Sequence, residues 1–221
     1  MITLTSNGCR RYNHPEFIIR LADSSVLEMD AKPILQHLEN EVSQGVKYLP
    51  TQTLQVGWMI VIFKSEEEYL LSLNEPDMKE IPIRFVNSMS NTVHHLRLQK
   101  DAAESIGAEP CFPNIRQSAL KCSKYDDNSD FFMERSEPAQ NDSGWFFGCS
   151  NPKHDHNELS SLRRVSLYDL GCSRADIIPF LAFPPGCSIM INGPTIAVNL
   201  KGVPCLFRSG SYLDLRTSRH E

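Results

Sequence analysis

Two spacings of apolar residues alternate along the first half of the chain, and together they predict strands mixed with helices. The β-branched segment from Glu16 to Ala22 is typical of a strand. A helix is expected from Asp30 to about Gly45, with Pro33 in its first turn, because apolar residues recur there at helical spacing. The residues with this spacing are Ile34, Leu35, Leu38 and Val42.

The next segments are more apolar and less periodic. Leu54 to Lys64 is a nearly continuous apolar run, which predicts a central strand covered on both faces. Trp58 is expected in the core, and Gly57 is interpreted as a residue that close packing requires. Ser65 is a natural N-cap, so Glu66 to Leu73 is expected to form a short helix whose first-turn glutamates complement the helix dipole. Two further elements are predicted, a strand from Ile81 to Val86 and a helix from Val93 to Ile106.

The second half has short apolar runs separated by proline and glycine. Five strands are predicted, from Phe131 to Glu134, Trp145 to Cys149, Ser188 to Asn192, Thr195 to Leu200 and Val203 to Arg208. Turn residues separate the last three strands, which favours an antiparallel meander. A helix is expected over Ser166 to Leu170 and Arg174 to Phe183, ending before Pro184.

These elements indicate an α+β fold of two small domains, each a mainly antiparallel sheet with packed helices. The expected domains are 1–110 and 119–221, because part of the segment from Glu109 to Asn141, with its prolines and polar run, is typical of an inter-domain connection.

The composition is that of a folded protein with an ordinary core, since 41 % of the 221 residues are apolar. The first residues lack an apolar leader and no apolar run is long enough to span a membrane, so we expect a cytoplasmic protein without a membrane partner. The 7 cysteines are widely spaced without a Cys-x-x-Cys pair, which argues against a zinc ribbon and against a disulfide framework.

The net charge of -5 argues against a nucleic-acid partner and favours a basic protein partner. Acidic side chains that could steer such a partner are Glu66, Glu67, Glu68, Asp126, Asp127 and Asp130. The alternative is that they are solvated loop and helix residues.

A tight polar turn precedes a block of three aromatic residues in the second half. Asp142 can accept a backbone hydrogen bond from two residues further on, Ser143 follows it, and Gly144 can adopt a positive φ. We interpret this turn as structural, with Trp145 in the core. Alternatively, it presents an aromatic anchor to a partner. Consecutive strand residues point to opposite faces, so Phe146 is a candidate partner-binding residue in either case.

The order Met-x-Arg-x-x-Pro-x-x-x-Asp-Ser-Gly-Trp-x-Phe-Gly, from Met133 to Gly148, resembles the motif of a bacterial family, the domain-of-unknown-function 2185 type. The resemblance covers about Lys121 to Phe207. This family belongs among the immunity proteins of polymorphic and contact-delivered toxin systems. The resemblance implies a protein that neutralises a cognate toxin by binding it, with no catalytic residue, cofactor or metal. A toxin that acts in the cytoplasm is implied, with a nuclease as the first expectation and a type VI secretion system as a possible route of delivery.

Other functions remain open from the sequence. His154 and His156 alternate and could share a metal in a metal-assisted hydrolase, although the flanking residues are typical of a solvated turn. Cys149 could act as a nucleophile with one of these histidines as its base. A scaffold or regulatory module is the third alternative, and an exposed edge strand could support a homodimer.

Overall fold

The computed structural model describes residues 1–22, 28–67, 69–126 and 130–218. The chain divides into two compact units, Met1–Arg97 and Leu98–Glu221. Both are mixtures of helices and mostly antiparallel sheet, which confirms the α+β fold class. The sequence-based domain limits of 1–110 and 119–221 stay a prediction.

The described part of the first unit contains a six-stranded sheet in the order β1-β2-β5-β4-β3, with β6 paired to β5. Its strands are β1 (Ile2–Thr5), β2 (Glu16–Leu21), β3 (Thr53–Val56), β4 (Met59–Glu66), β5 (Leu70–Pro76) and β6 (Phe85–Val86). The pair β2 and β5 is parallel. A short 3₁₀ turn, Arg10–Tyr12, follows β1. Helix α1 (Glu28–Ser43) buries the apolar face that the sequence predicts, and Gly45 follows it with a φ of 94°. Helix α2 (Ser90–Ser105) follows β6, and the division between the units falls within it.

The apolar run from Leu54 to Lys64 is a β-hairpin, so the prediction of one central strand is wrong. Val56 pairs with Met59, and Gly57 occupies the turn with a φ of 61°, which a glycine adopts without steric cost. Trp58 is fully buried as predicted. Its indole Nε1 donates to Nδ1 of His95 at 3.3 Å, and burial lowers the pKa of that imidazole to about 3, which keeps it neutral as an acceptor.

The predicted helix over Glu66 to Leu73 is also wrong, because β4 and β5 form a second hairpin in which Glu66 pairs with Leu70. β5 lies between β2 and β4, and burial on both of its faces outweighs the local capping signal of Ser65. The predicted strand over Ile81 to Val86 is shortened to β6.

The described part of the second unit contains a seven-stranded sheet in the order β10-β7-β9-β8-β11-β12-β13. Its strands are β7 (Ser118–Cys122), β8 (Phe131–Arg135), β9 (Asp142–Cys149), β10 (Leu162–Ser166), β11 (Cys187–Asn192), β12 (Thr195–Leu200) and β13 (Val203–Pro204). The pair β7 and β9 is parallel, and the other pairs are antiparallel. The predicted meander is therefore present as β11, β12 and the short β13.

The remaining elements of the second unit are helices. They are α3 (Leu167–Ser173), α4 (Tyr212–Ser218) and the 3₁₀ segments Leu159–Ser161 and Ala175–Phe180. The helix predicted over Ser166 to Phe183 is thus two pieces that meet at Arg174. Ser166 caps the first piece by accepting a hydrogen bond from the Asp169 amide. No helix in the described ranges has the length and apolar content needed to cross a bilayer.

Candidate functional site

The polar turn at the start of β9 has a backbone that admits only glycine at its centre. The Gly144 amide donates to Oδ1 of Asp142 at 2.9 Å, and Gly144 has a φ of 76°. A Cβ at this position would lie 2.2 Å from the carbonyl oxygen of Ser136. The buried Ser143 hydroxyl donates to the Ser118 carbonyl at 2.8 Å, which ties the turn to β7. Arg164 of β10 forms a 2.6 Å ion pair with the other oxygen of Asp142.

Directly behind this turn lies the guanidinium of Arg135, which is only 3 % exposed. It donates to the backbone carbonyl oxygens of Cys111, Ser143, Leu181 and Phe183. Burial lowers the pKa of Arg135, but an arginine this basic stays charged at neutral pH. The Arg135 side chain therefore connects β8, the turn and two irregular segments that have no sheet partners for these carbonyls.

Trp145 completes the same cluster. Its indole is 1 % exposed, lies 5.5 Å from the Arg135 guanidinium, and donates from Nε1 to the Leu181 carbonyl at 3.0 Å. A partner has no access to this indole, so the aromatic anchor, if the motif offers one, is another side chain. The sequence motif around Arg135 and Trp145 is a structural cluster on the inner face of the sheet.

Phe146 lies on the opposite face of β9 and is half-buried. It belongs to a strip on four neighbouring strands, here called the outer face, which consists of Leu120, Phe132, Phe146 and Met190. The rings of Phe132 and Phe146 are 5.7 Å apart. Phe132 lies across Gly148, where a Cβ would be 2.2 Å from the ring. Met190 is 39 % exposed.

The acidic residues proposed from the sequence occupy different environments. Glu66 is half-buried and forms a bidentate pair with Arg20 at 2.6 Å, which holds the pKa of its carboxyl below the usual value. Asp126 is exposed and paired with Lys121. Glu67 is exposed, and Asp130 is exposed next to β8, where it accepts from the Gly193 amide at 3.0 Å. The other two, Glu68 and Asp127, lie outside the described residues.

Sequence reasoning missed a four-residue cluster at one edge of the seven-stranded sheet. The ligand atoms of Cys122, Cys149, His154 and His156 all lie within 4.8 Å of one another. Nε2 of His156 is 3.6 Å from Sγ of Cys149, and the two imidazole rings are 4.8 Å apart. The cysteines are buried and the histidines half-buried.

Burial sets the protonation of this cluster. It raises the pKa of the Cys122 thiol and lowers the pKa of the His156 imidazole. The Cys122 thiol and the His156 imidazole are therefore both neutral near pH 7, so Cys122 lacks the thiolate form that a nucleophile needs. With Cys149 only 1 % exposed, a substrate also has no route to its sulfur.

The second unit is similar to a known family. Residues 98–200 match the family model of the Imm33-like domain, an immunity-protein-like family. This range includes the Arg135 cluster, the outer face and the cysteine–histidine cluster, so the resemblance to immunity proteins seen in the sequence is confirmed at that level. No curated protein and no solved structure matches the chain.

We predict that the buried guanidinium of Arg135 is essential for the stability of the second unit. Arg135→Met should lower the free energy of unfolding by about 3 kcal/mol or more, because several buried carbonyls lose their donor. Arg135→Lys should also destabilise, since a lysine lacks the planar fork. Urea unfolding followed by fluorescence measures both. Arg163→Met is the control, because exposed Arg163 donates, among the described residues, to the carbonyls of its sequence neighbours Ser160 and Leu162. Equal midpoints for the Arg135 and Arg163 variants would contradict the prediction.

The turn gives a second prediction, in which the effect of the clash is separated from the effect of the backbone angle. Gly144→Ala should destabilise by more than about 2 kcal/mol, because the new Cβ meets the Ser136 carbonyl in addition to the strain of a positive φ. Gly202→Ala is the matched control, because Gly202 has a φ of 79° and its Cβ would have no described neighbour within 4 Å. This variant should lose only about 1 kcal/mol of unfolding free energy. The midpoints of thermal and urea unfolding measure the loss of stability in each variant. Equal losses in the two variants would show that the Ser136 carbonyl moves aside without a cost in free energy.

Proposed function

We propose that this chain is an immunity protein of the domain-of-unknown-function 2185 type that neutralises a cognate antibacterial toxin by binding it. The match of residues 98–200 to the Imm33-like domain is the observation that carries the proposal. The toxin is a cytoplasm-acting effector, with a nuclease as the first candidate and a type VI secretion system as the route of delivery. Inhibition is stoichiometric and needs no catalytic residue or cofactor of this chain.

The outer face is the proposed contact surface. Phe146 was predicted from the sequence to face away from the core, and it lies beside Phe132, whose strand partner on β11 is the exposed Met190. Aromatic and methionine side chains that are partly exposed on a rigid sheet resemble the anchors of protein interfaces. The inner face of the same strands is fixed by the Arg135 cluster, so the outer side chains are held in place before a partner arrives.

The acidic net charge of the chain supports the proposal that the toxin is a basic protein. The net charge of the chain is -5, and a nuclease needs a basic surface to hold phosphate. Because Arg20 and Lys121 compensate Glu66 and Asp126, we expect these two carboxylates to contribute less to attraction than the exposed Glu67. Glu134 adds an exposed carboxylate on β8, directly opposite Phe146.

The toxin is sought first in the product of the neighbouring gene, by co-expression. If the proposal is correct, this product arrests bacterial growth, co-expression of the chain restores growth, and the two proteins purify as a complex of fixed stoichiometry. A neighbour that arrests growth and is neither rescued nor bound would favour the scaffold or regulatory alternative. A purified complex then allows the contact surface to be mapped.

We predict that Met190→Arg weakens the complex by about 30-fold or more, because a charge would be buried at the centre of the interface. Met29→Arg is the matched control, since Met29 is 72 % exposed on α1 in the other unit. Affinity is measured by calorimetry or biolayer interferometry after circular dichroism has shown that both variants fold. A loss that is equal for both variants, or absent from both, would remove the outer face from the proposed interface.

Charge reversal gives a separate prediction about association. Glu134→Lys should lower the association rate, most strongly at low salt, and leave the dissociation rate nearly unchanged. Glu109→Lys makes the same charge change at an exposed residue of the same unit, and Glu67→Lys makes it in the first unit. Stopped-flow rates at several salt concentrations show which unit faces the toxin. Equal rates for all three variants would contradict electrostatic steering.

A further inference from the structure

The cluster of Cys122, Cys149, His154 and His156 has the geometry and chemistry of a metal site. A tetrahedral zinc ion with bond lengths of about 2.3 Å to sulfur and 2.0–2.1 Å to nitrogen places its ligand atoms roughly 3.3–3.8 Å apart. The four ligand atoms here all lie within 4.8 Å of one another. A side-chain adjustment of about an ångström or less therefore brings the farthest pair to this spacing.

The fold brings the two cysteines together by strand pairing. Cys122 is the last residue of β7 and Cys149 is the last residue of β9. Because these strands are parallel neighbours, both carboxyl ends lie at the same edge of the sheet. The Cys149 amide lies 3.3 Å from Sγ of Cys122. The pairing of adjacent parallel strands thus brings the sulfur atoms of Cys122 and Cys149 close together, although the two residues are far apart in sequence.

The segment 150–158, here called the histidine loop, supplies the other two ligands. Two Asx turns shape this loop, one in which Asn151 accepts from the Lys153 amide and one in which Asp155 accepts from the Asn157 amide. The loop folds back over the sheet edge, and the His156 ring lies 5.2 Å from Phe132. Nε2 of His154 is buried and has no hydrogen-bond partner among the described residues. A buried imidazole nitrogen without a partner is costly, and a metal ion would satisfy it.

The donor set selects the class of metal. Two thiolates and two imidazoles suit zinc, whereas magnesium and calcium require oxygen ligands. Four protein ligands fill a tetrahedral shell and leave no position for a water, which distinguishes a structural zinc from a catalytic one. This explains why the two histidines, considered alone, resemble an incomplete hydrolase site.

We propose that Cys122, Cys149, His154 and His156 bind one Zn²⁺ ion that fixes the histidine loop to the carboxyl ends of β7 and β9. Zinc binds cysteine as thiolate, so each thiol gives up its proton to solvent on binding, and two thiolates with two neutral imidazoles leave an uncharged site around one Zn²⁺. No oxidation or reduction takes place. The site also fixes the His156 ring against Phe132 and Phe146, 5.2 and 5.9 Å away. It does not depend on the identity of the toxin.

Metal titration of the full chain tests this site directly. The protein is stripped with a chelator under reducing conditions and titrated with Zn²⁺ in competition with a chromophoric chelator, and separately with Co²⁺. We expect one equivalent per chain, release of two protons in weakly buffered solution, and Co²⁺ spectra with tetrahedral d–d bands and sulfur-to-metal charge transfer. Absence of tight binding, or Co²⁺ spectra without charge transfer from sulfur, would overturn the proposal.

Matched variants locate the site. His154→Ala removes a ligand from the histidine loop without touching the sheet, and it should weaken Zn²⁺ binding by more than the roughly 10- to 100-fold that loss of an outer partner costs. Cys149→Ser should also abolish charge transfer from one sulfur. His37→Ala and Cys205→Ser remove the same residue types outside the cluster and should bind as the parent does. Equal weakening by His37→Ala and His154→Ala would overturn the assignment.

Formation of a disulfide between Cys122 and Cys149 is the alternative to metal binding by these two residues. If Cys122 and Cys149 pair under mild oxidation, the intact mass falls by two hydrogens and the thiol count falls by two. Prior loading with Zn²⁺ should protect both thiols from this oxidation and from alkylation. Thiols that oxidise or alkylate at the same rate with and without Zn²⁺ would contradict the metal site. Hydrogen exchange of the histidine loop should slow on loading, and it should not change in His154→Ala.

Discussion

The second unit depends on one buried cation. The Arg135 guanidinium lies among backbone carbonyls from irregular segments, where no strand or helix supplies a donor. Burying a charge in this way is costly, and it is tolerated because one planar fork satisfies several carbonyls that water cannot reach. Trp145 covers the fork and shares the Leu181 carbonyl with it. Two residues of the sequence motif therefore have a common cause, because Arg135 and Trp145 both donate to this carbonyl cluster. The glycine is required for a separate reason, its close approach to the Ser136 carbonyl.

The two faces of the same strands have different tasks. The inner face is held in place by the Arg135 cluster. On the outer face, the side chains of Phe146, Phe132 and Met190 are partly exposed to solvent. At the edge of the sheet, the parallel pair β7 and β9 adds a third feature by bringing Cys122 and Cys149 together. A metal there would rigidify the histidine loop, whose His156 ring packs against Phe132 and Phe146 of the outer face, so metal binding and partner binding would be coupled through His156.

Local signals allowed a large part of the fold to be predicted. The periodicity before Gly45 and the turn chemistry at Gly144 depend on neighbouring residues, and both are seen in the structure. The two hairpins between Leu54 and Leu73 were missed because the first residues of β4 and most of β5 are buried on both faces, and hydrophobic periodicity alone does not reveal a chain reversal in such an apolar run. The cysteine–histidine cluster was missed for another reason. Its histidines and Cys149 are close in sequence, but Cys122 joins them only through a parallel pairing of β7 with β9 that no local pattern encodes.

The contact between Phe132 and Gly148 limits how this surface can evolve. Under the proposed function, the outer face has to follow changes in the toxin, and exposed side chains such as Met190 can be replaced one at a time. Phe132 fills the space that any side chain at Gly148 would need. A lineage in which position 148 acquires a side chain must therefore displace the Phe132 ring or shrink the residue at position 132. Diversification of the outer face is thus free where a side chain such as Met190 can change alone, and it is restricted to paired changes where Phe132 covers Gly148.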